Sequence, residues 1–210
     1  MPNHVFTQVE ITGPPDALDQ ISKLAQQGES ILEHYLPLPT DATETISGTT
    51  PDGEPYSYSV FTDGGYTTAV KLWGSKWADY GVELISDDAE QGYRSVSIRC
   101  QSAWSPVTEG YRKLSEMLGI RATLRCVDEG WCYVGGYAVA NGQIVGEYEL
   151  SNVALDAYVK AQGVPTEPDE DADGEARDEW WSEYDTCVQD AATECLGQAQ
   201  EALRSALGLS

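Results

Sequence analysis

Residues 105–127, SPVTEGYRKLSEMLGIRATLRCV, decide the fold. Ser105 before Pro106 reads as an N-cap followed by proline at the first helical position, where the missing amide costs nothing. Val107, Tyr111, Leu114 and Leu118 recur at helical spacing, and Gly119 suits the left-handed conformation that closes a helix. From Ile120 to Val127 the pattern changes to that of a strand. Immediately upstream, 82–85 and 93–99 read as two strands joined by a polar turn over 86–92. At the N-terminus, Val5, Thr7, Val9 and Ile11 alternate with period two until Gly13-Pro14-Pro15, after which Leu18, Ile21, Leu24 and Ala25 mark a helix that ends at Gly28.

The order strand, helix, strand, strand, helix, strand predicts an α+β protein built on a ferredoxin-like βαββαβ sheet. Residues 131–140 and 143–150 flank Asn141-Gly142, the dipeptide best suited to a two-residue type I′ turn, and predict an added β-hairpin. Residues 29–80 form an insertion with a short helix, a turn-rich loop and one strand near 56–61. The expected organisation is a domain over 1–150, a short helix and acidic linker over 151–174, and a long amphipathic C-terminal helix over 175–210. The stripe of that helix is Trp181, Tyr184, Val188, Ala191, Cys195, Ala199, Leu203 and Leu207. Either the domain or the same helix of a second copy must cover it, because such a helix is marginal alone in water.

Thirty-five acids against twelve bases give a net charge of −23 over 210 residues. Binding to a phosphate backbone depends on lysine and arginine releasing counterions, so direct contact with nucleic acid is excluded as a main activity. No apolar run approaches the roughly 18 residues of a membrane helix. The N-terminus lacks the basic and apolar regions of a secretory signal, which predicts a cytoplasmic protein. Residues 165–210 hold thirteen acids and two bases, so about half of the surplus lies in the preceding 164 residues.

None of the five cysteines, Cys100, Cys126, Cys132, Cys187 and Cys195, forms a C-x-x-C pair. His4 and His34 stand alone in unrelated segments. No metal and no cofactor are expected on these spacings. Cys126 and Cys132 could meet across strands, but free cysteine more often behaves as a small buried hydrophobe. Phosphate-binding glycine loops, nucleophile elbows and deaminase motifs are absent. Asp128 and Glu129, at the end of the strand over 120–127, are the one carboxylate pair placed as in a strand-end active site, and an acidic turn explains them equally well.

Trp73, Lys76, Trp77 and Trp104 form the candidate aromatic patch. Three tryptophans can either plug the insertion onto the sheet or present a binding surface. Lys76 could lie over an indole face or pair with Asp79. Recognition of RNA on the sheet is disfavoured, because 95–100 lacks stacking aromatics and neighbouring bases.

Met1-Pro2-Asn3, Trp73-Gly74-Ser75-Lys76-Trp77, Ala103-Trp104-Ser105-Pro106 and the stretch 130–136 resemble, in this order, the YubB-type ferredoxin-like family of small phage and plasmid proteins, over about residues 1–150. The family's tryptophan motifs usually read W-G-x-K-W-D and A-W-S-P-P, where this chain has Ala78 and Val107. The resemblance implies a mobile-element origin, and it carries over no activity, cofactor or catalytic residue.

Acidity is the strongest functional signal. Glu175, Asp178, Glu179, Glu183 and Glu194 gather on one face of the expected C-terminal helix. Carboxylates every three or four residues, at about 1.5 Å rise each, recur at a spacing of the same order as phosphates. The expectation is a non-catalytic phage-type accessory protein whose acidic surface binds a basic host or defence protein, blocking its nucleic-acid cleft as a DNA mimic. The alternatives are a structural module that docks or homodimerises through the C-terminal helix, a small enzyme using Asp128 and Glu129, and an acidic surface that serves solubility alone.

Overall fold

In the computed structural model, the described residues are 3–90, 93–129, 134–150 and 152–161, with 186, 187, 190, 193, 194, 197 and 200–208. The period-two pattern of the N-terminus forms β1 (His4–Thr12), whose inward positions Val5, Val9 and Ile11 are fully buried. Helix α1 (Pro15–Gln27) follows, with proline at its start and Gly28 at φ 71° as its left-handed cap. The insertion contributes α2 (Ile31–Tyr35), the strands β2 (Thr43–Thr49) and β3 (Pro55–Phe61), and α3 (Gly65–Trp73). Then come β4 (Tyr80–Glu90), β5 (Tyr93–Ala103), α4 (Thr108–Leu118), β6 (Arg121–Asp128), β7 (Val134–Ala140), β8 (Gln143–Leu150) and α5 (Asn152–Ala161).

Six strands make one sheet of order β4-β5-β1-β6-β7-β8, and every neighbouring pair is antiparallel. Helices α1 and α4 lie on one face, α1 over β4 and β5 and α4 over β6 and β7. Leu18, Ile21, Tyr111 and Leu114 from the helices meet Val9, Ile98 and Leu124 from the sheet in the main core. Asn141 and Gly142, at φ 51° and 75°, form the tight β7–β8 turn that the Asn-Gly dipeptide calls for.

On the opposite sheet face, Leu203 and Leu207 are buried against Ala138 and Ala140. Arg204 is ion-paired to Glu10 at 2.9 Å, and Arg121 donates to the Leu207 carbonyl at 2.9 Å. The described end of the C-terminal stripe is thus covered by the chain's own sheet, the first of the two options that its pattern left open. Of the long helix expected over 175–210, the described residues supply one continuous helical run, 200–206, and helical backbone at Thr186, Cys187, Asp190, Thr193, Glu194 and Gly197. The linker over 165–174 lies outside the described residues, as does Cys132 and with it the meeting of Cys126 and Cys132 across strands.

Three expectations are corrected. Ser105 is not the N-cap of α4, which begins at Thr108 after Val107. Its hydroxyl donates instead to the Gly74 carbonyl at 2.7 Å. The turn over 86–92 is mostly strand, because β4 continues to Glu90 and β5 begins at Tyr93. Those positions are polar because the hairpin runs past the core, where Arg94 bridges Asp87 at 2.8 Å and Asp19 of α1 at 2.5 Å. The turn-rich part of the insertion holds a second strand and a second helix, so β2 and β3 form a hairpin of their own outside the main sheet.

Candidate functional site

The insertion leaves the domain and returns through one neck, built on Asp79. Ser30, the N-cap of α2, receives the Glu33 amide on its hydroxyl and donates that hydroxyl to Asp79 Oδ1 at 2.5 Å. The Leu32 amide donates to the same oxygen at 2.9 Å, and the Tyr111 hydroxyl donates to Oδ2 at 3.2 Å. Asp79 is fully buried. Burial pushes its carboxyl above the usual aspartate range, while these hydrogen bonds pull it down. The same bonds correct the pairing of Asp79 with Lys76 weighed from the sequence, since Asp79 belongs to Ser30, Leu32 and Tyr111.

The segment after α3 is fixed to the end of β5. Ser75 exchanges hydrogen bonds with Ala103, donating from its hydroxyl at 2.8 Å and accepting from the amide at 3.1 Å. Trp73 is buried, and its indole N–H donates to the Leu36 carbonyl at 2.9 Å. This tryptophan therefore plugs the insertion onto the core, as one of the two readings of the cluster had it.

Trp77 and Trp104 behave differently: they are 37% and 53% exposed. The Lys76 ammonium lies between them, 5.0 Å from the Trp77 ring centre and 4.7 Å from that of Trp104. Ring contacts extend this stack on both sides. Trp104 meets Tyr66 and Tyr66 meets Phe61, each at 6.2 Å, while Trp77 meets Tyr80 and Tyr80 meets His4, each at 5.9 Å. His4 Nδ1 and the Tyr80 hydroxyl share a hydrogen bond of 2.5 Å. Trp104 is held at φ 69°, a left-handed backbone rare for so bulky a residue. An exposed ring on strained backbone is a sign of use at a surface.

Between the β2–β3 hairpin and this aromatic row lies a cavity of about 410 Å³. Phe61, Trp73, Trp77 and Tyr80 supply its aromatic wall, Thr43, Ser59 and Val60 its hairpin side, and Glu33 the single charged group among the described residues that line it. The sequence pointed to Trp73, Lys76, Trp77 and Trp104. It passed over Glu33, Phe61, Tyr66 and Tyr80, which come from separate elements and share no spacing.

Of the acidic residues singled out in the sequence, Glu175, Asp178, Glu179 and Glu183 lie outside the described residues, and Glu194 is exposed on helical backbone. The described insertion carries its own acidic surface. Glu29, Glu33, Asp41, Glu44, Asp52, Glu54 and Asp63 are all exposed, and none of them is ion-paired to a described residue. Lys71 and Lys76 are the insertion's only bases.

At the end of β6, Asp128 is buried and Glu129 is exposed. The Glu129 carboxylate accepts from the His4 amide at 3.2 Å, and its own amide donates to the His4 carbonyl at 2.8 Å, a pairing that fastens the start of β1. Cys100 and Cys126 are fully buried, and burial pushes the Cys126 thiol up to about 12, far from the range of a nucleophile. No helix of the described residues is long and apolar enough to cross a membrane. Comparison with family models, with curated proteins and with solved structures finds no match to this chain.

Proposed function

We propose that this chain is a non-catalytic, phage- or plasmid-type accessory protein on a ferredoxin-like scaffold, and that it binds a basic partner through its acidic surface. The single observation that carries the reading is the insertion's seven exposed carboxylates, none ion-paired among the described residues. Unneutralised charge of one sign on ordered backbone costs stability through self-repulsion, and a complementary partner offsets that cost while gaining a steered encounter. Two further observations support the lineage and the scaffold. The tryptophan motifs resemble those of the YubB-type family, and β4, β5, β1 and β6 follow the strand order of a βαββαβ sheet with α1 and α4 on one face. A partner that normally holds nucleic acid has the cationic cleft such a surface fits, so the expected effect of binding is blockade.

The test is capture from host lysate followed by competition. A basic protein should be retained at about 50 mM salt, released as salt rises, and displaced by duplex DNA. Retention of proteins without a salt-sensitive, DNA-competed fraction would count against the reading.

A further inference from the structure

The cavity between the hairpin and the aromatic row differs from the acidic surface around it in having a shape and a defined chemistry. Its volume of about 410 Å³ falls within the range of small-ligand sites. Phe61, Trp77 and Tyr80 line it with aromatic rings, and Glu33 is the only charged lining residue among the described residues. Glu33 is exposed and has no ion pair among the described residues. Among the described residues, no lysine or arginine lines the space.

Aromatic faces carry a negative quadrupole, so rings combined with one free carboxylate favour a cation over an anion and over a neutral polar group. Arginine suits such a site better than lysine. Its planar guanidinium stacks on a ring while donating in-plane to a carboxylate, and it is more weakly hydrated than an ammonium. The chain shows the same chemistry beside the cavity, where Lys76 rests between the indoles of Trp77 and Trp104. Trp77 belongs to both features.

We infer that this cavity receives an arginine side chain of the basic partner, stacked among Phe61, Trp77 and Tyr80 with its guanidinium paired to Glu33. The inference rests on the partner reading above and gives it an anchor, since buried aromatic and arginine contacts supply most of the binding energy of an interface.

n-Butylguanidinium and its uncharged counterpart n-butylurea are the probes, titrated into the full chain while the tryptophan indole N–H resonances are followed. The guanidinium should bind in the millimolar range and shift the Trp77 signal, with the urea about tenfold weaker or more. Glu33→Gln should weaken the guanidinium about tenfold and leave the urea unchanged. Trp77→Leu should weaken both. Equal binding of the two probes, no shift of Trp77, or indifference to Glu33→Gln would each overturn the assignment. Glu33 is exposed, so an unchanged far-ultraviolet spectrum and melting midpoint should verify that the variant folds. The two proposals fail separately. If Glu33→Gln leaves salt-sensitive capture of a basic protein intact and the guanidinium probe does not bind, the cavity assignment falls and the acidic-surface reading stands. If the probe binds as stated but no basic protein is captured, the partner reading falls, the arginine's source falls with it, and only the cation site is left.

Discussion

Asp79 is under two opposed demands. Its carboxyl is fully removed from water, which favours the protonated form, and three donors converge on it, which favours the ionised one. The net shift is upward, so the folded chain holds this proton more tightly than the unfolded chain does. Its contribution to stability is therefore complete below the ordinary aspartate value of 3.8 and is lost as pH rises through the folded value. Asp87 and Glu109 act in the opposite sense. Hydrogen bonds from Arg94 and Arg112 hold them below the usual carboxylate range, so their stabilisation is present above that range and lost as pH falls through the lowered values. Subtracting the stability of Asp79→Asn from that of the parent across pH isolates Asp79. Urea unfolding should show the variant gaining relative to the parent as pH rises, while Asp79→Ala, which orphans the Leu32 amide and the Tyr111 and Ser30 hydroxyls, should lose about 2–4 kcal/mol. Trp104 offers a second residue-level test. Its φ of 69° favours glycine, so Trp104→Gly should melt higher than Trp104→Ala by the equivalent of about 1 kcal/mol, although neither keeps the ring.

At the scale of elements, the insertion is held together internally by close contacts between the start of β2, the end of β3 and the start of α3. Gly65 opens α3 directly against the Ala42 carbonyl, and a Cβ built there would stand within van der Waals contact of that oxygen and of the Ala42 carbonyl carbon at 2.9 Å. The Ala42 oxygen also accepts from the Thr62 amide at 3.0 Å, at the end of β3. Gly65→Ala should therefore cost about 1–3 kcal/mol in spite of alanine's better helix propensity, and it should weaken guanidinium binding by displacing the hairpin; thermal melts and the probe titration check the two effects.

The same elements explain what could be read in the sequence. The strands β1 and β6 and the helices α1 and α4 bury one face each, so their apolar residues recur with the period of the element. The hairpin β2–β3 has no such face. Ile46, Tyr56 and Tyr58 are exposed on one side, and the sequence Thr-Glu-Thr-Ile-Ser-Gly-Thr shows one isolated apolar residue among polar ones and a turn-like glycine. Helix α3 is marked by little more than Ala69 and Trp73, one turn apart. The tryptophan motifs located the aromatic patch, but Glu33, Phe61, Tyr66 and Tyr80 reach it from α2, β3, α3 and β4, a convergence that exists only after folding. The polar stretch over 86–92 resembled a turn because a strand that outruns its core loses its alternation.

At the scale of the whole molecule, the account rests on where the unpaired charge sits. Among the described residues, Arg94 pairs with Asp87 and Asp19 and Arg204 with Glu10, while the seven exposed carboxylates of the insertion have no ion pair and share that segment with the aromatic cavity. Exposed acids elsewhere, Asp16, Asp88, Glu147 and Glu201, have none among the described residues either, so position is what distinguishes the two sets. A charge that served solubility alone would be equally effective anywhere on the surface. The most direct measurement compares two variants by calorimetric titration with a short arginine-rich peptide over a range of salt. One neutralises Glu33, Asp41, Glu44 and Glu54 of the insertion, and the other neutralises the exposed acids Asp16, Asp88, Glu147 and Glu201. Both lose the same charge, so a nonspecific attraction weakens equally in the two. The account predicts that the insertion variant loses about tenfold or more in affinity and most of its salt dependence while the second stays within about twofold of the parent. Equal losses in both variants would contradict it.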